Sequence, residues 1–361
     1  MPRVIGIDPG TVTIDVCGLE DGRVFLDQAF PTATALADPA RFIGRLEAAG
    51  PLDCIAGPSG YGLPLTRAQQ ATEEDLRLAF LAREGEPGGI GGLGALARAL
   101  ARSALPVFFT PGVIHLSTVP AHRKVNRVDM GTADKVCAAA LAVAQQAERG
   151  SRPIAQVSLV LLELGGAFTA VIAVGGGKIV DGVGGSSGPL GFRAAGALDG
   201  EVAFLAGSVS KAMLFTGGAA AIAGWDDAGA SPERFGTPAT PPEGVAWDAF
   251  VEGVAKYAAA LALSVPSPTE FVLSGRLAQV GAVQHAMRQR LGPLGPTRVL
   301  EGFARVAKAG AQGAALIADG LAGGTHRTLV ETIGIGDARG TALDHLYVIS
   351  PQQARRRLGL S

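Results

Sequence analysis

Aromatic residues make up only 5% of the 361-residue sequence, and Ala, Gly, Val and Leu dominate instead. So little bulk excludes a core built on large side chains and suits tightly packed α/β layers with small residues at their contacts. Only three cysteines occur, Cys17, Cys54 and Cys137, and they make no CxxC pair and no metal spacing with the five histidines. That excludes a disulfide scaffold and a zinc module, and it predicts reduced structural thiols in a cytoplasmic protein. The formal net charge is −1 and no basic stripe is present, which excludes the electrostatic footprint of nucleic-acid binding. The run Arg355-Arg356-Arg357 reads as a solvated helix end. No apolar stretch reaches about 18 residues without glycine or charge, so no membrane span is expected. The chain opens directly into a strand at Val4 to Ile7, which predicts no signal peptide.

What is present is a device used twice. Residues 157–181 read VSLVLLELGGAFTAVIAVGGGKIVD: an apolar strand ending in Glu163, a turn with Gly165 and Gly166, Thr169, and further strands. Residues 3–17 follow the same logic: a strand ending in Asp8, then Gly10, Thr11 and Thr13, then a second strand. A strand-end acid beside a glycine turn brings a carboxylate and backbone N–H groups to one point, as Mg²⁺-bound phosphate requires. The repeat, about 155 residues apart, predicts two related halves, and the length also suits two domains.

Between these devices the pattern predicts helices over 39–49, 72–83 and 95–103, and strands over 52–56 and 107–109. Glycine-rich loops are expected at 84–94 and 182–191, and a Pro/Gly/Asp-rich loop at 226–244. Gly131-Thr132 is placed to cap a long Ala-rich helix that carries Asp134 in its first turn. Helices are expected at 245–263, 277–291 and 304–321, strands at 271–273 and 298–299, and a last strand over Leu346 to Ile349 before a basic terminal helix.

Five features therefore stand in fixed order: Ile7 to Thr13, the Gly-Thr-Ala-Asp-Lys helix start, Glu163 to Thr169, the strand-to-helix turn Val272 to Val280, and the small-residue helix Lys308 to Gly320. That order resembles the acetate and sugar kinase/Hsp70/actin superfamily: phosphate-1, connecting helix, phosphate-2, adenosine turn, second connecting helix. The resemblance covers nearly the whole chain. Locally, Asp8-Pro9-Gly10-Thr11, and Gly177-Lys178-Ile179-Val180-Asp181 preceding Ala197-Leu198-Asp199-Gly200-Glu201, are similar to butyrate kinase and to an uncharacterised predicted butyrate kinase-like family. The sequence departs where acyl kinases carry Asn (here Asp8), His before Leu-Gly-Gly (here Glu163), a loop Lys (here Asp15) and Ser-Pro-Glu-Arg (here Val-Ala-Phe-Leu).

The resemblance implies an α/β protein of two ribonuclease H-like domains with a nucleotide cleft between them: 1–150, 151–325, and a tail over 326–361 returning onto the first. It implies an ATP-dependent small-molecule kinase using Mg²⁺, with a short-chain carboxylate such as butyrate as acceptor. A hydroxyl acceptor and an ATPase-type switch on the same fold are the alternatives. A small-molecule substrate is the expected partner, with a homodimer admitted and neither nucleic acid nor membrane.

Asp8 and Glu163 are the candidate metal residues. Asp8, Asp134, Arg127 and Arg193 are the candidate catalytic set, with Asp134 resembling the Asp that opens the equivalent helix in type III pantothenate kinase. Asp129 is its runner-up as base, and Arg123 a further anion clamp. Gly10, Thr11, Thr13, Gly165, Gly166, Thr169, Gly275 and Arg276 are the candidate nucleotide contacts. His115, His122, Trp225 and Trp247 are assigned to structure.

Overall fold

The computed structural model describes residues 2–58, 60–86, 92–226, 229–266 and 270–360. Parts of the expected loops at 84–94 and 226–244 lie outside the described residues. The first sheet holds β1 (Arg3–Pro9), β2 (Thr13–Glu20), β3 (Arg23–Pro31), β4 (Cys54–Pro58), β5 (Thr66–Arg67) and β6 (Val107–Thr110). The second holds β7 (Leu159–Leu164), β8 (Thr169–Gly175), β9 (Lys178–Val183), β10 (Glu270–Ser274) and β11 (Thr297–Val299).

The spatial order is β3-β2-β1-β4-β6-β5 in one sheet and β9-β8-β7-β10-β11 in the other. Each begins as an antiparallel meander of three strands and continues with two strands parallel to its first. The internal repeat expected from the two glycine turns is therefore a repeat of topology, with β5 an addition at one edge.

Strand alternation divides each sheet into an inner and an outer face. On β1 and β2, Ile5, Ile7, Ile14 and Val16 face an outer core, while Val4 and Cys17 face an inner one. On β7, Val160, Leu162 and Leu164 face outward, while Leu159 and Leu161 face inward. Between the two inner faces lie two helices, Ala133–Arg149 and Ala309–Leu321, packed against each other and against the sheets.

These helices explain the small-residue composition. A side chain at Gly6 of β1 would lie 2.1 Å from both Ala311 O and Ala315 N, so strand and helix meet backbone to backbone. Aromatic side chains gather instead in the outer layer of the second sheet, where Phe192, Trp225, Trp247 and Phe250 each pack edge to face on Phe235. All three cysteines are buried free thiols. Among the described residues no helix is long and apolar enough to cross a membrane.

Several element boundaries differ from the sequence reading. Residues 346–349 form no strand: Asn126 Oδ1 accepts from Tyr347 N at 2.7 Å and Val348 N at 3.0 Å, so a side-chain cap replaces a ladder. The helix expected from 245 begins at Pro241, because Thr240 caps it and proline suits its first turn. The helix expected from 304 begins at Ala309, because the preceding backbone is bonded to side chains. The final segment returns to the first half, where Arg355 pairs with Glu74 and Arg77 donates to Leu358 O.

Candidate functional site

The two turns superimpose in their bonding. Gly10 N donates to Thr13 O at 3.0 Å, and Gly165 N donates to Phe168 O at 3.0 Å. Asp8 pairs with Asp15 across the first hairpin, and Glu163 with Ala170 across the second. Asp8 and Glu163 are thus equivalent, as are Gly10 and Gly165, Thr11 and Gly166. The threonines are not. Thr13 corresponds to Phe168, and Thr169 corresponds to Ile14.

Register then sets what each threonine faces. Thr13 lies on the inner face of β2 with Asp15, and its hydroxyl accepts from Lys308 Nζ at 2.6 Å. Thr169 pairs with Leu164, which puts it on the outer face with Val171 and Ala173; it is fully buried and its Oγ1 has no hydrogen-bond partner. The expected nucleotide contact by the Thr169 side chain is therefore corrected: a one-residue offset turns it away from the inner face. Thr11 is exposed at the tip of the first turn, which Thr32 anchors by donating Oγ1 to Gly10 O at 2.7 Å.

On the inner side the strand-end acids meet the starts of the two central helices. Asp8 lies against the start of Ala309–Leu321, so close that a Cβ at Gly310 would be 2.5 Å from its Oδ2. Burial raises the Asp8 pKa from its ordinary 3.8 to about 7; Asp134 and Asp15 add to the rise, and Lys308 and Lys135 oppose it. Burial also raises Glu163, against the pull of Lys135 and a hydrogen bond from Ser274. Its Oε2 is buried without a partner.

At the start of Ala133–Arg149, Asp134 is engaged on both oxygens: Thr132 Oγ1 donates to Oδ1 and Lys135 Nζ to Oδ2. Burial alone would raise its pKa, but Lys135 and these bonds outweigh it and hold the carboxyl below its ordinary value. Burial would likewise depress Lys135, and Asp134, Glu163 and Asp8 reverse that. Lys135 is thus a central counter-ion that the sequence reading placed only in a helix turn. Lys308 is the second, 2.9 Å from Asp15 Oδ2, at ion-pair distance but outside hydrogen-bond alignment. Both were visible as lysines at helix starts; only the fold shows that both starts converge.

The remaining candidates divide. Gly275 has φ +89° and passes so close to β7 that a Cβ would lie 2.8 Å from Glu163 Oε1. The stem of Arg276 lies near Gly166, 3.7 Å from where its Cβ would be, and its guanidinium is 3.7 Å from Glu233. Arg193 is half-buried beside the second turn, its N–H donating to Ala167 O at 3.0 Å. Arg127 is exposed, and no ion pair of its side chain occurs among the described residues.

Arg123 is occupied elsewhere, donating to Val180 O at 2.8 Å and lying 3.7 Å from Asp181. Asp129 is bound by the Gly-Ser loop, accepting from Ser186 N and Ser186 Oγ at 2.9 Å each. His115 is buried and borders a separate cavity of about 130 Å³ with Leu63, Thr66 and Thr341.

Four carboxylates, Asp8, Asp15, Asp134 and Glu163, thus face two ammonium groups, Lys135 and Lys308. Such an excess of negative charge, with Asp8 and Asp15 buried and Asp134 and Glu163 half-buried, is costly unless protons or cations relieve it. The donor set suits a hard divalent cation that takes oxygen ligands and keeps most of its waters. Among the described residues no three His, Cys, Asp or Glu side chains converge as a protein-only metal cage.

The family model described as "Protein of unknown function (DUF1464)" matches residues 6–348. Among curated proteins none matches. Among solved structures, a propionate kinase from Francisella tularensis subsp. tularensis SCHU S4 aligns with TM-score 0.61 at 12% identity, over 87% of this chain and 99% of that one. An acetate kinase from Entamoeba histolytica aligns with TM-score 0.57 at 12% identity, over 81% and 87% of the two chains. An acetate kinase from Porphyromonas gingivalis aligns with TM-score 0.55 at 13% identity, over 81% and 86%. Likeness at such identities establishes the fold alone: the α/β architecture that this chain shares with those propionate and acetate kinases.

Proposed function

The chain belongs to the DUF1464 family, and we propose that it is an ATP-dependent small-molecule kinase whose phosphates lie between its two glycine turns. One observation carries this reading: two hairpins with the same Gly N–H to carbonyl bond, each led by a strand-end acid, flank one buried charge cluster. Phosphoryl transfer asks a protein mainly for positioning and charge stabilisation, which paired turns of this kind supply.

Asp8 and Glu163 are the residues to hold Mg²⁺, directly or through water; the partnerless Glu163 Oε2 and the raised Asp8 pKa both fit that role. Bound there, Mg²⁺ would neutralise phosphate charge. Lys135 keeps the Asp134 carboxylate anionic and tied to the helix start. Gly275 lets the strand-to-helix turn lie flush on β7, where an adenosine would pass. Arg193, beside the second turn, and the exposed Arg127 are the guanidinium groups proposed to steer an anionic acceptor.

For the acceptor we favour a short-chain carboxylate. A carboxylate is already ionised and needs no base, and Asp134, the expected base, has both oxygens engaged. The aligned propionate and acetate kinases are named for acceptors of that class. The decisive experiment incubates the protein with Mg-ATP and a panel of C2–C5 carboxylates and small alcohols. Release of ADP and an acyl phosphate trapped as hydroxamate are expected with a carboxylate. ADP release only with an alcohol would overturn the acceptor class, and release without any acceptor would favour an ATPase switch. No binding of ATP or ADP at millimolar concentration would sink the kinase reading altogether.

A further inference from the structure

The loop just before the helix Ala309–Leu321 is held far more tightly than its lack of regular structure would suggest. Asp27, on β3, accepts from three consecutive N–H groups: Arg305 N to Oδ2 at 2.8 Å, Val306 N to Oδ2 at 3.0 Å, and Ala307 N to Oδ1 at 2.7 Å. Converging backbone N–H groups of this kind form an anion nest, here filled by the protein's own carboxylate. Those bonds outweigh the desolvation that would raise Asp27 and hold its pKa below the ordinary value. Gln312 closes the loop from the other side. Its Oε1 accepts from Phe303 N at 2.7 Å and Ala304 N at 3.1 Å, and its Nε2 donates to Ala307 O at 2.6 Å.

What this double clamp fixes is the next residue, Lys308, which caps the helix. Its ammonium stands over the first turn: it donates to Thr13 Oγ1 at 2.6 Å, lies 2.9 Å from Asp15, and is 3.2 Å from where a Cβ of Gly10 would be. The side chain is 50% exposed, so the ammonium is tethered on its protein side and open on the other. A lysine side chain has many rotamers, and anchoring both its backbone and its head reduces what a ligand must still order. Asp15, buried on the hairpin, lies at ion-pair distance from a cation supplied from the far end of the sequence.

We infer that Lys308 binds the terminal phosphates of the nucleotide at the first turn, and that Asp27 is a positioning residue that sets its place from the edge strand. The inference rests on the nucleotide reading above. Because Lys308 stands at the phosphate end of the cleft, its contribution separates nucleotides by phosphate number. Neither residue is among the nearest neighbours of Gly275, beside which an adenosine would pass.

The test is a comparison of AMP, ADP and ATP affinities by calorimetry for the wild-type protein, Lys308→Met, Lys308→Arg and Asp27→Asn, with melting temperatures as a fold check. Loss of one charge-assisted bond predicts ADP and ATP binding weaker by about 10- to 100-fold in Lys308→Met, with AMP affinity unchanged. Lys308→Arg should keep most of the ADP preference. Asp27→Asn should lower the ADP-to-AMP affinity ratio by a smaller factor, which a purely structural role for Asp27 would not move. An unchanged ratio in Lys308→Met overturns the role of Lys308, and an unchanged ratio in Asp27→Asn overturns that of Asp27. A wild-type protein that binds none of the three nucleotides overturns the nucleotide reading itself, and this inference with it.

Discussion

The two glycine turns share a backbone and differ in nearly everything attached to it. The first carries Asp8, Thr13 and Asp15 on its inner face and lies under Lys308. The second carries Glu163, Phe168 and Ala170 at the matching positions, with Phe168 packed edge to face on Phe215 at 4.8 Å. One turn holds charge and hydroxyls; the other holds shape. The two hairpins share what their common geometry demands, the acid and the Gly N–H bond, and differ in the rest.

The sharpest way to break that comparison is to remove the two acids in turn. Asp8→Asn should lower ATP turnover by about 100-fold or more, since the residue is buried at the centre of the cluster. Glu163→Gln should cost about 10-fold, because its carboxylate is half-buried where that of Asp8 is buried. Steady-state ADP release measures both. Equal losses would mean that the turns contribute alike and that the charge asymmetry is incidental.

The same asymmetry should appear in stability against pH. The Asp8 carboxyl, facing Asp134, Asp15, Lys135 and Lys308, is raised from 3.8 to about 7. Below the lower value both folded and unfolded chains hold the proton and nothing is lost. As pH rises toward 7 the unfolded chain releases it while the folded chain does not, so stability falls. Asp8→Asn removes that loss. In the absence of ligand its melting temperature should exceed that of the wild type by a margin that grows from pH 4 to 7 and then levels off. A margin independent of pH would show that Asp8 is not the proton holder. A variant more stable yet less active marks a residue kept for binding rather than for folding.

The turns' shared geometry is tested by their glycines. A Cβ at Gly10 would lie 2.8 Å from Thr13 O, and one at Gly165 would lie 2.7 Å from Phe168 O. Gly10→Ala and Gly165→Ala should each destabilise by about 1–3 kcal/mol, as overpacking against backbone does. At Gly166 the nearest atom is the flexible Arg276 Cδ at 3.7 Å, so Gly166→Ala should stay within about 0.5 kcal/mol. Denaturant midpoints distinguish them.

Much of this fold was legible in the sequence because its signals are local. Strand, acid, glycine and strand form one short pattern, and its recurrence announced the two halves. The cluster was only half legible. Asp8, Glu163 and Asp134 stand out as acids at element ends, but Lys308 and Asp15 are 293 residues apart in the chain and meet only because Ala309–Leu321 crosses back onto β1. Likewise Arg123 and Asp129 look free in sequence, and only the returning loops show them occupied. The strand expected at 346–349 failed for a similar reason: its apolar residues suit a ladder, and a single distant side chain, Asn126, took the donors.

The comparison turns last on the two threonines, where a one-residue offset sets which face of the sheet each occupies. By sequence each follows its glycine turn and looks like a phosphate-binding hydroxyl. Thr13 is on the inner face and holds Lys308; Thr169 is buried on the outer face with an unpaired Oγ1. An unsatisfied buried hydroxyl costs free energy that an isosteric apolar side chain recovers. Thr169→Val should therefore stabilise the protein by about 1 kcal/mol and leave ATP turnover unchanged. Thr13→Val should bring no such gain and should weaken ADP binding through the freed Lys308. Loss of nucleotide binding in Thr169→Val would place its hydroxyl in the site after all and would break the register argument on which the equivalence of the two turns depends.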